Sequence, residues 1–408
     1  MRRVRSLLSL LGLSVAVLAG TDGKPPTASP AGKFSDFALP VLEKSAAMAP
    51  NASDAACAEC HAEKTGSYHH TAHFATSSLP SAQSIAGSFT AGTNILKSVA
   101  NPNLQFEMEA KADGFFQTAK VHISDSQVLY RTERFGVVIG SGRKGQTYLF
   151  WDGNQLFELP VSYWTESGQW INSPSYPDGT ASFERPVHPR CLECHATNFE
   201  VRGPPFNAFN PASIAFGVAC EKCHGPGAEH IARFRLPAEQ RTTKETAILN
   251  PAKLTRERQI EVCELCHAGI GESLTPPLSF KAGDELVKHL VFPKIEAGAH
   301  IDVHASQVQL LERSRCFQSS ATMTCTTCHD VHTPQRDLAA LATRCLSCHQ
   351  VENCGEFAKV GHHIDGNCVA CHMPLQTTDQ IMASRGGKNL QPKVRNHQIA
   401  IYPEIKLP

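Results

Sequence analysis

The spacing of apolar residues changes several times along this chain of 408 residues. Behind a basic start, Met1-Arg-Arg-Val-Arg5, Leu7 to Ala19 form one short apolar run that ends in small residues at Ala19-Gly20-Thr21. This predicts a secretory signal peptide over 1–20, because the run is too short for a span of roughly 20 apolar residues. No later stretch approaches that length, so no transmembrane segment is expected after signal removal. Residues 21–50 are rich in Pro, Ala, Ser and Gly and predict a flexible lead. From about 85 to 185 the pattern turns strand-like. The runs VLYRTERFGVVIG and QTYLFWDGNQLFELPVSYW fall here, with all three tryptophans, Trp151, Trp164 and Trp170. Asp152-Gly153 separates two strand-like stretches as a hairpin turn would. A small β-rich module is expected, with His122 as a structural residue on one of its strands. Residues 186–375 read as short helical stretches broken by turns such as Gly-Pro-Pro and Gly-Pro-Gly, and 376–408 as a tail.

Charge is balanced, with 38 basic and 38 acidic residues, so no basic field invites nucleic acid. Aromatic residues make up only 7%. A chain holding large flat cofactors can use them as core, so the thin side-chain core is no objection.

The cysteines decide the chemistry. Cys-x-x-Cys-His occurs at Cys57–Cys60–His61, Cys191–Cys194–His195, Cys220–Cys223–His224, Cys263–Cys266–His267, Cys325–Cys328–His329, Cys345–Cys348–His349 and Cys368–Cys371–His372. These seven copies use fourteen of the sixteen cysteines. On a helical turn, positions i and i+3 share a face and i+4 lies beside them. Two thiols so placed form thioethers to the vinyl groups of one haem, and the following imidazole meets its iron as proximal ligand. Disulfides do not demand a His after every second Cys, a zinc ribbon does not require one, and thioredoxin-like motifs come singly on a βαβ pattern. Seven covalently attached haems c are therefore expected. One copy lies in a first haem-binding segment, 51–84, and six in a domain over 186–375. Cys316 and Cys354 are left over, either as a disulfide or as separate thiols.

Twenty histidines leave thirteen for the sixth positions of seven irons. The candidate distal ligands are His73, His188, His230, His304, His332, His362 and His397. His69, His70, His289, His300 and His363 are further histidines near motifs or in the gap after His267. Met323, Met373 and Met382 are weaker candidates, since methionine near a haem more often packs.

With these residues in view, the chain resembles exported multihaem c-type cytochromes of the cytochrome c-552/4 (c-554) domain family. The similar stretches are CAECH with YHHTAHFATS, IGSGRKGQTYLFWDGNQLFELPVSYW leading into RPVHPRCLECH, CEKCHGPGAEH, MTCTTCHDVH and CVACHMP. The resemblance implies electron transfer through mostly bis-His haems, with His73, His230 and His332 as distal ligands. There is no Cys-x-x-Cys-Lys attachment and no obvious tyrosine cross-link region, and Met382 stands where a His would be half expected.

The expected fold is mainly α and irregular, organised around stacked haems, with a small β-rich insertion. The expected function is that of a periplasmic or extracellular electron carrier whose redox partners present a basic docking patch. The alternative is a multihaem oxidoreductase acting on a small nitrogen or sulfur compound at one five-coordinate haem.

Overall fold

Two antiparallel sheets carry the largest apolar cluster of the protein. The computed structural model describes residues 52–241, 248–296 and 298–405, so the expected signal peptide and most of the flexible lead lie outside the described residues. The first sheet has four strands, Ile95–Lys97, Leu104–Lys111, Gly114–Ser124 and Gln127–Arg134, paired in chain order. Burial alternates along Leu104–Lys111, so Leu104, Phe106 and Met108 share one inward face, as a half-buried strand requires.

The second sheet has nine strands and reaches across the chain. Its main path runs through Ser77–Ser78, Val137–Ile139, Gly145–Asp152, Val161–Trp164, Gln169–Asn172, Ala383–Arg385 and Lys388–Leu390, while Gln155–Glu158 and Arg185–Pro186 pair off one side. Asp152 pairs with Gln155 around Gly153, whose φ of 59° suits the tight turn. Trp170 is the centre of the cluster. It is fully buried against Phe89, Phe135, Tyr148 and Tyr163, and its indole N–H donates to the Ser88 carbonyl at 2.8 Å. The buried Gln117 amide links the two sheets, donating to the Val161 carbonyl and accepting from the Val161 N–H, both at 3.1 Å. Further on, Asn172 Nδ2 donates to Ser384 Oγ at 3.0 Å, and the Arg385 guanidinium donates to the Trp170 carbonyl.

This architecture overturns the expectation of a mainly α fold with a small β insertion. Sheet pairing extends from Ser77 to Leu390, and three further two-stranded sheets occur among the described residues. The physical reason is that each Cys-x-x-Cys-His needs only about one helical turn, so the helices stay short. Two of the motif helices, Cys220–His224 and Cys368–His372, have five residues each. Of the buried aromatic residues, Phe106, Tyr148, Phe150, Tyr163 and Trp170 lie on strands, and only Tyr68 and Phe317 among the described residues lie on helices. His122 lies exposed on the strand Gly114–Ser124.

Trp170→Ala is expected to destabilise the sheets by about 3–5 kcal/mol, the usual range for emptying a large aromatic site. Guanidinium unfolding followed by far-UV circular dichroism reads this as a lowered midpoint, with the haem absorption of the native protein unchanged.

Candidate haem sites around a shared cavity

Each Cys-x-x-Cys-His copy sits on a turn that its flanking sequence fixes. The first lies within Ala52–Tyr68, where the helix breaks at His61 with φ −114° and ψ 38°. The second closes Pro189–His195, with His188 as N-cap and a proline in the first turn. The third is the helix Cys220–His224, and the fourth ends Arg256–His267, capped by Thr255. The fifth is a tight turn opening at Cys325 behind Thr324, the sixth starts at the end of Leu338–Cys345, and the seventh is Cys368–His372.

Packing then sets these turns against one another. Leu192, inside the second motif, is buried with Val137, Leu149 and Leu156 of the large sheet. Leu265, inside the fourth, is buried with Leu286 and Leu290. The buried Arg190 pairs with Glu193 at 2.8 Å and donates to the Leu265 carbonyl, which ties the second motif to the fourth. The segment 73–77 is a strap: Val218 N–H donates to the His73 carbonyl at 2.9 Å, and Ser77 Oγ donates to the His195 carbonyl. Ile301, Val303 and Leu310 form a further buried cluster beneath His304. Asp302 fixes that loop, accepting from the His304 N–H at 2.7 Å and from Thr378 Oγ1 at 2.6 Å.

These elements enclose a cavity of about 1820 Å³, well above the roughly 300–1,000 Å³ of ordinary small-molecule pockets. Its walls include Cys57, Cys191, Cys194, Cys220, Cys223, Cys263, Cys266 and Cys325, together with His61, His195, His224, His267 and His329. Motifs one to five thus face one space. All sixteen cysteines are free thiols, so the seven pairs are available for attachment.

Five of the seven motif imidazoles are held at Nδ1. Nδ1 of His224 meets the Leu249 carbonyl at 2.9 Å, and Nδ1 of His372 meets the Ala400 carbonyl at 2.8 Å. A carbonyl only accepts, so Nδ1 carries the proton and Nε2 keeps its lone pair for a metal. Nδ1 of His195, His267 and His329 is held by Thr76, Gln307 and Gln335 at 2.8, 3.2 and 3.0 Å.

Three candidate distal histidines face a proximal one. The ring centroids of His73 and His267 are 6.1 Å apart, those of His224 and His332 6.0 Å, and those of His329 and His397 6.3 Å. An iron between two imidazoles, with metal–nitrogen bonds of about 2 Å, sets their centroids roughly 6 Å apart. His230 stands near enough to His61, and His304 to His195, for each pair to interact electrostatically. Burial, then the neighbouring imidazoles, pushes the His73 pKa down to about 4. Burial likewise brings His397 to about 4, so both rings are neutral and able to ligate near pH 7. The cavity, the paired thiols and the facing imidazoles fit haem c.

The other candidates have different surroundings. Nδ1 of His188 accepts from the Arg190 N–H at 3.2 Å, and its ring lies 5.3 Å from Phe206. His362 pairs with Asp365 at 3.2 Å, and His289 contacts Thr275 and Asp284. His69 stacks on Phe74 at 4.1 Å, while His70 and His363 are exposed. Met382 is half exposed, and the Met323 carbonyl accepts from Arg256. Cys316 neighbours Cys328 and Cys345, whereas Cys354 neighbours Cys368 and Cys371.

Contacts between motifs follow an order of their own. Cys57 lies beside Cys220, Cys223 beside Cys263, Cys263 beside Cys325, and Cys345 beside Cys368. Cys328 neighbours Cys348, and Cys194 lies beside Cys266. The motifs therefore run one, three, four, five, six, seven, with the second branching at the fourth.

Sequence reasoning missed the residues that hold or tune these groups. Glu264, inside the fourth motif, is pushed up to about 7 by burial and then by Glu312 and Glu261. Only the fold brings Glu264 near Glu312; the spacing gave no signal. Lys222 lines the cavity between the second, third and fourth motifs, and burial lowers its pKa.

The comparisons agree with this chemistry. Residues 165–225, which hold the second and third motifs, match the model of the family cytochrome c554 and c-prime. Over this stretch the chain is similar to the c-type cytochromes of that family. The outer cell wall cytochrome OcwA, known from a crystal structure, aligns with this chain at a TM-score of 0.52 and 16% identity. The alignment covers 85% of this chain and 78% of OcwA, so the two share a fold. The undecahaem cytochrome from the S-layer of Carboxydothermus ferrireducens aligns at a TM-score of 0.34 and 17% identity, over 74% of this chain and 43% of that one. No curated protein matches the chain.

Glu264 predicts a pH dependence for the fourth motif. Below about pH 7 it is neutral, and above it a carboxylate stands beside the fourth attachment site. One reduction potential is expected to fall as pH rises from about 6 to about 8, because negative charge favours the ferric state. Potentiometric titration of Glu264→Gln should show that slope removed; a slope kept in the variant would assign it elsewhere.

Proposed function

We propose that this cytochrome is an exported electron conduit with seven covalent haems, working in the periplasm or outside the cell behind a signal peptide at 1–20. The observation that carries the reading is the set of facing imidazoles, His73 with His267, His224 with His332 and His329 with His397, at 6.0–6.3 Å. When bound, each haem supplies a one-electron iron centre. The chain's part is to hold those centres close, fix their axial ligands and keep water from most of them.

In this reading Cys57, Cys60, Cys191, Cys194, Cys220, Cys223, Cys263, Cys266, Cys325, Cys328, Cys345, Cys348, Cys368 and Cys371 are the attachment points. His61, His195, His224, His267, His329, His349 and His372 are the proximal ligands. His230 and His304 complete the ligand sets of His61 and His195, as their proximity supports. The segments 51–84 and 186–375 hold the cofactors, and the haem-free module over 85–185 walls the cavity through Ile139, Thr147 and Leu149. Among the described residues no helix is long and apolar enough to cross a membrane. The name of OcwA as an outer cell wall cytochrome favours an extracellular site.

His397→Ala is the direct test of one ligand pair. It is expected to convert one low-spin ferric haem to high spin in the electron paramagnetic resonance spectrum and to create one carbon monoxide site in the reduced protein. His122→Ala should do neither. A parent protein that already binds carbon monoxide stoichiometrically would favour the oxidoreductase reading instead.

A further inference from the structure

Motifs six and seven stand apart from the other five. Neither contributes a cysteine or a proximal histidine to the cavity wall, although Arg344 reaches it. They form a lobe over 338–372, in which the helices Leu338–Cys345 and Cys368–His372 pack on one another. The lobe continues the line of motifs: Cys328 neighbours Cys348, and Cys345 lies beside Cys368. Its outer side is open, with Cys348 and His349 exposed, as are Cys60 and His61 at the other end of the line. A cofactor attached at the lobe would offer an edge that a macromolecule can touch.

The charge of this lobe selects the partner. It holds the carboxylates Glu352, Glu356 and Asp365 against the cations Arg344 and Lys359. Lys359 is already engaged by Glu356 at 2.8 Å, while Glu352 is exposed and without an ion-pair partner among the described residues. Two bound haems, each with two propionates and a singly positive ferric core, add about two further negative charges.

We propose that the 338–372 lobe is the electron port of the protein and that it docks a cationic redox protein through the acidic surface around Glu352 and Glu356. The proposal rests on the conduit reading above and adds where electrons leave or enter and what chemistry meets them. Electrostatic complementarity of this kind acts on the encounter rate and is screened by salt.

The test uses the reduced holoprotein mixed in a stopped-flow instrument with a ferric cationic monohaem cytochrome c, and separately with ferricyanide. The parent rate with the cationic cytochrome is expected to fall at least about ten-fold between about 20 mM and about 500 mM salt. Glu352→Lys/Glu356→Lys, both at exposed positions, should be about ten-fold slower than the parent at low salt and equal to it at high salt. Its oxidation by ferricyanide, a trianion, should be faster than the parent's at low salt and equal to it at high salt, because the same charge reversal that repels a cation attracts an anion. The Cys345→Ala/Cys348→Ala variant, which lacks the sixth attachment, should lose the fast reaction with the cationic cytochrome while its remaining haems stay oxidisable by ferricyanide. Equal rates in the parent and the charge-reversed variant, or a rate indifferent to salt, would overturn the port. Failure of ferricyanide to oxidise all haems of the parent would instead overturn the conduit reading beneath it.

Discussion

In the proposed reading two imidazoles that share one iron stand roughly 6 Å apart, and three pairs of rings in this fold meet that distance. The attachment motif is local, spanning five residues, but the second imidazole comes from far along the chain. His73 crosses to His267, His332 returns to His224, and His397 reaches back from the tail to His329. Each pairing closes a long loop, at an entropic cost that grows only slowly with loop length. Together they draw the first segment, the middle and the tail around one cavity.

The sheets are what make such closures geometrically repeatable. They bury Trp170, Tyr148, Phe106 and their neighbours in a core that needs no cofactor. The second motif then docks on this core through Leu192. From there the order propagates through Arg190 to the fourth motif and through the 73–77 strap to the third. Side-chain packing sets one wall of the cavity, and the other walls are motif turns held by carbonyl and amide contacts to their own histidines. This division explains how a chain with few aromatic residues supports so large an internal space.

The seven Cys-x-x-Cys-His copies were legible in the sequence because each is confined to five consecutive residues, and the fold brings residues of five of them to one cavity. His73, His230, His304, His332 and His397 stood out by their places relative to the motifs, and the fold brings each near a proximal imidazole. His188 and His362 had equally suggestive places; Nδ1 of His188 accepts from the N–H of Arg190 at a helix N-terminus, and Nδ1 of His362 faces Asp365. Local hydrogen bonding of that kind leaves no trace in motif spacing. The extent of the sheet was not legible either. Ser77–Ser78, Ala383–Arg385 and Lys388–Leu390 are strands of two or three residues, too short for a period of two to register. Glu264 and Glu312 belong to separate helices, and only the packing of Arg256–His267 on Gln307–Glu312 makes them neighbours.

The central claim is that facing imidazoles, each pair about one iron apart, define the redox centres. The most direct measurement is near-infrared magnetic circular dichroism of the fully oxidised holoprotein, quantified against iron per chain. The account predicts seven irons, with at least three low-spin centres carrying the bis-imidazole charge-transfer band, one for each pair of rings at 6.0–6.3 Å. Fewer than three such centres would contradict it.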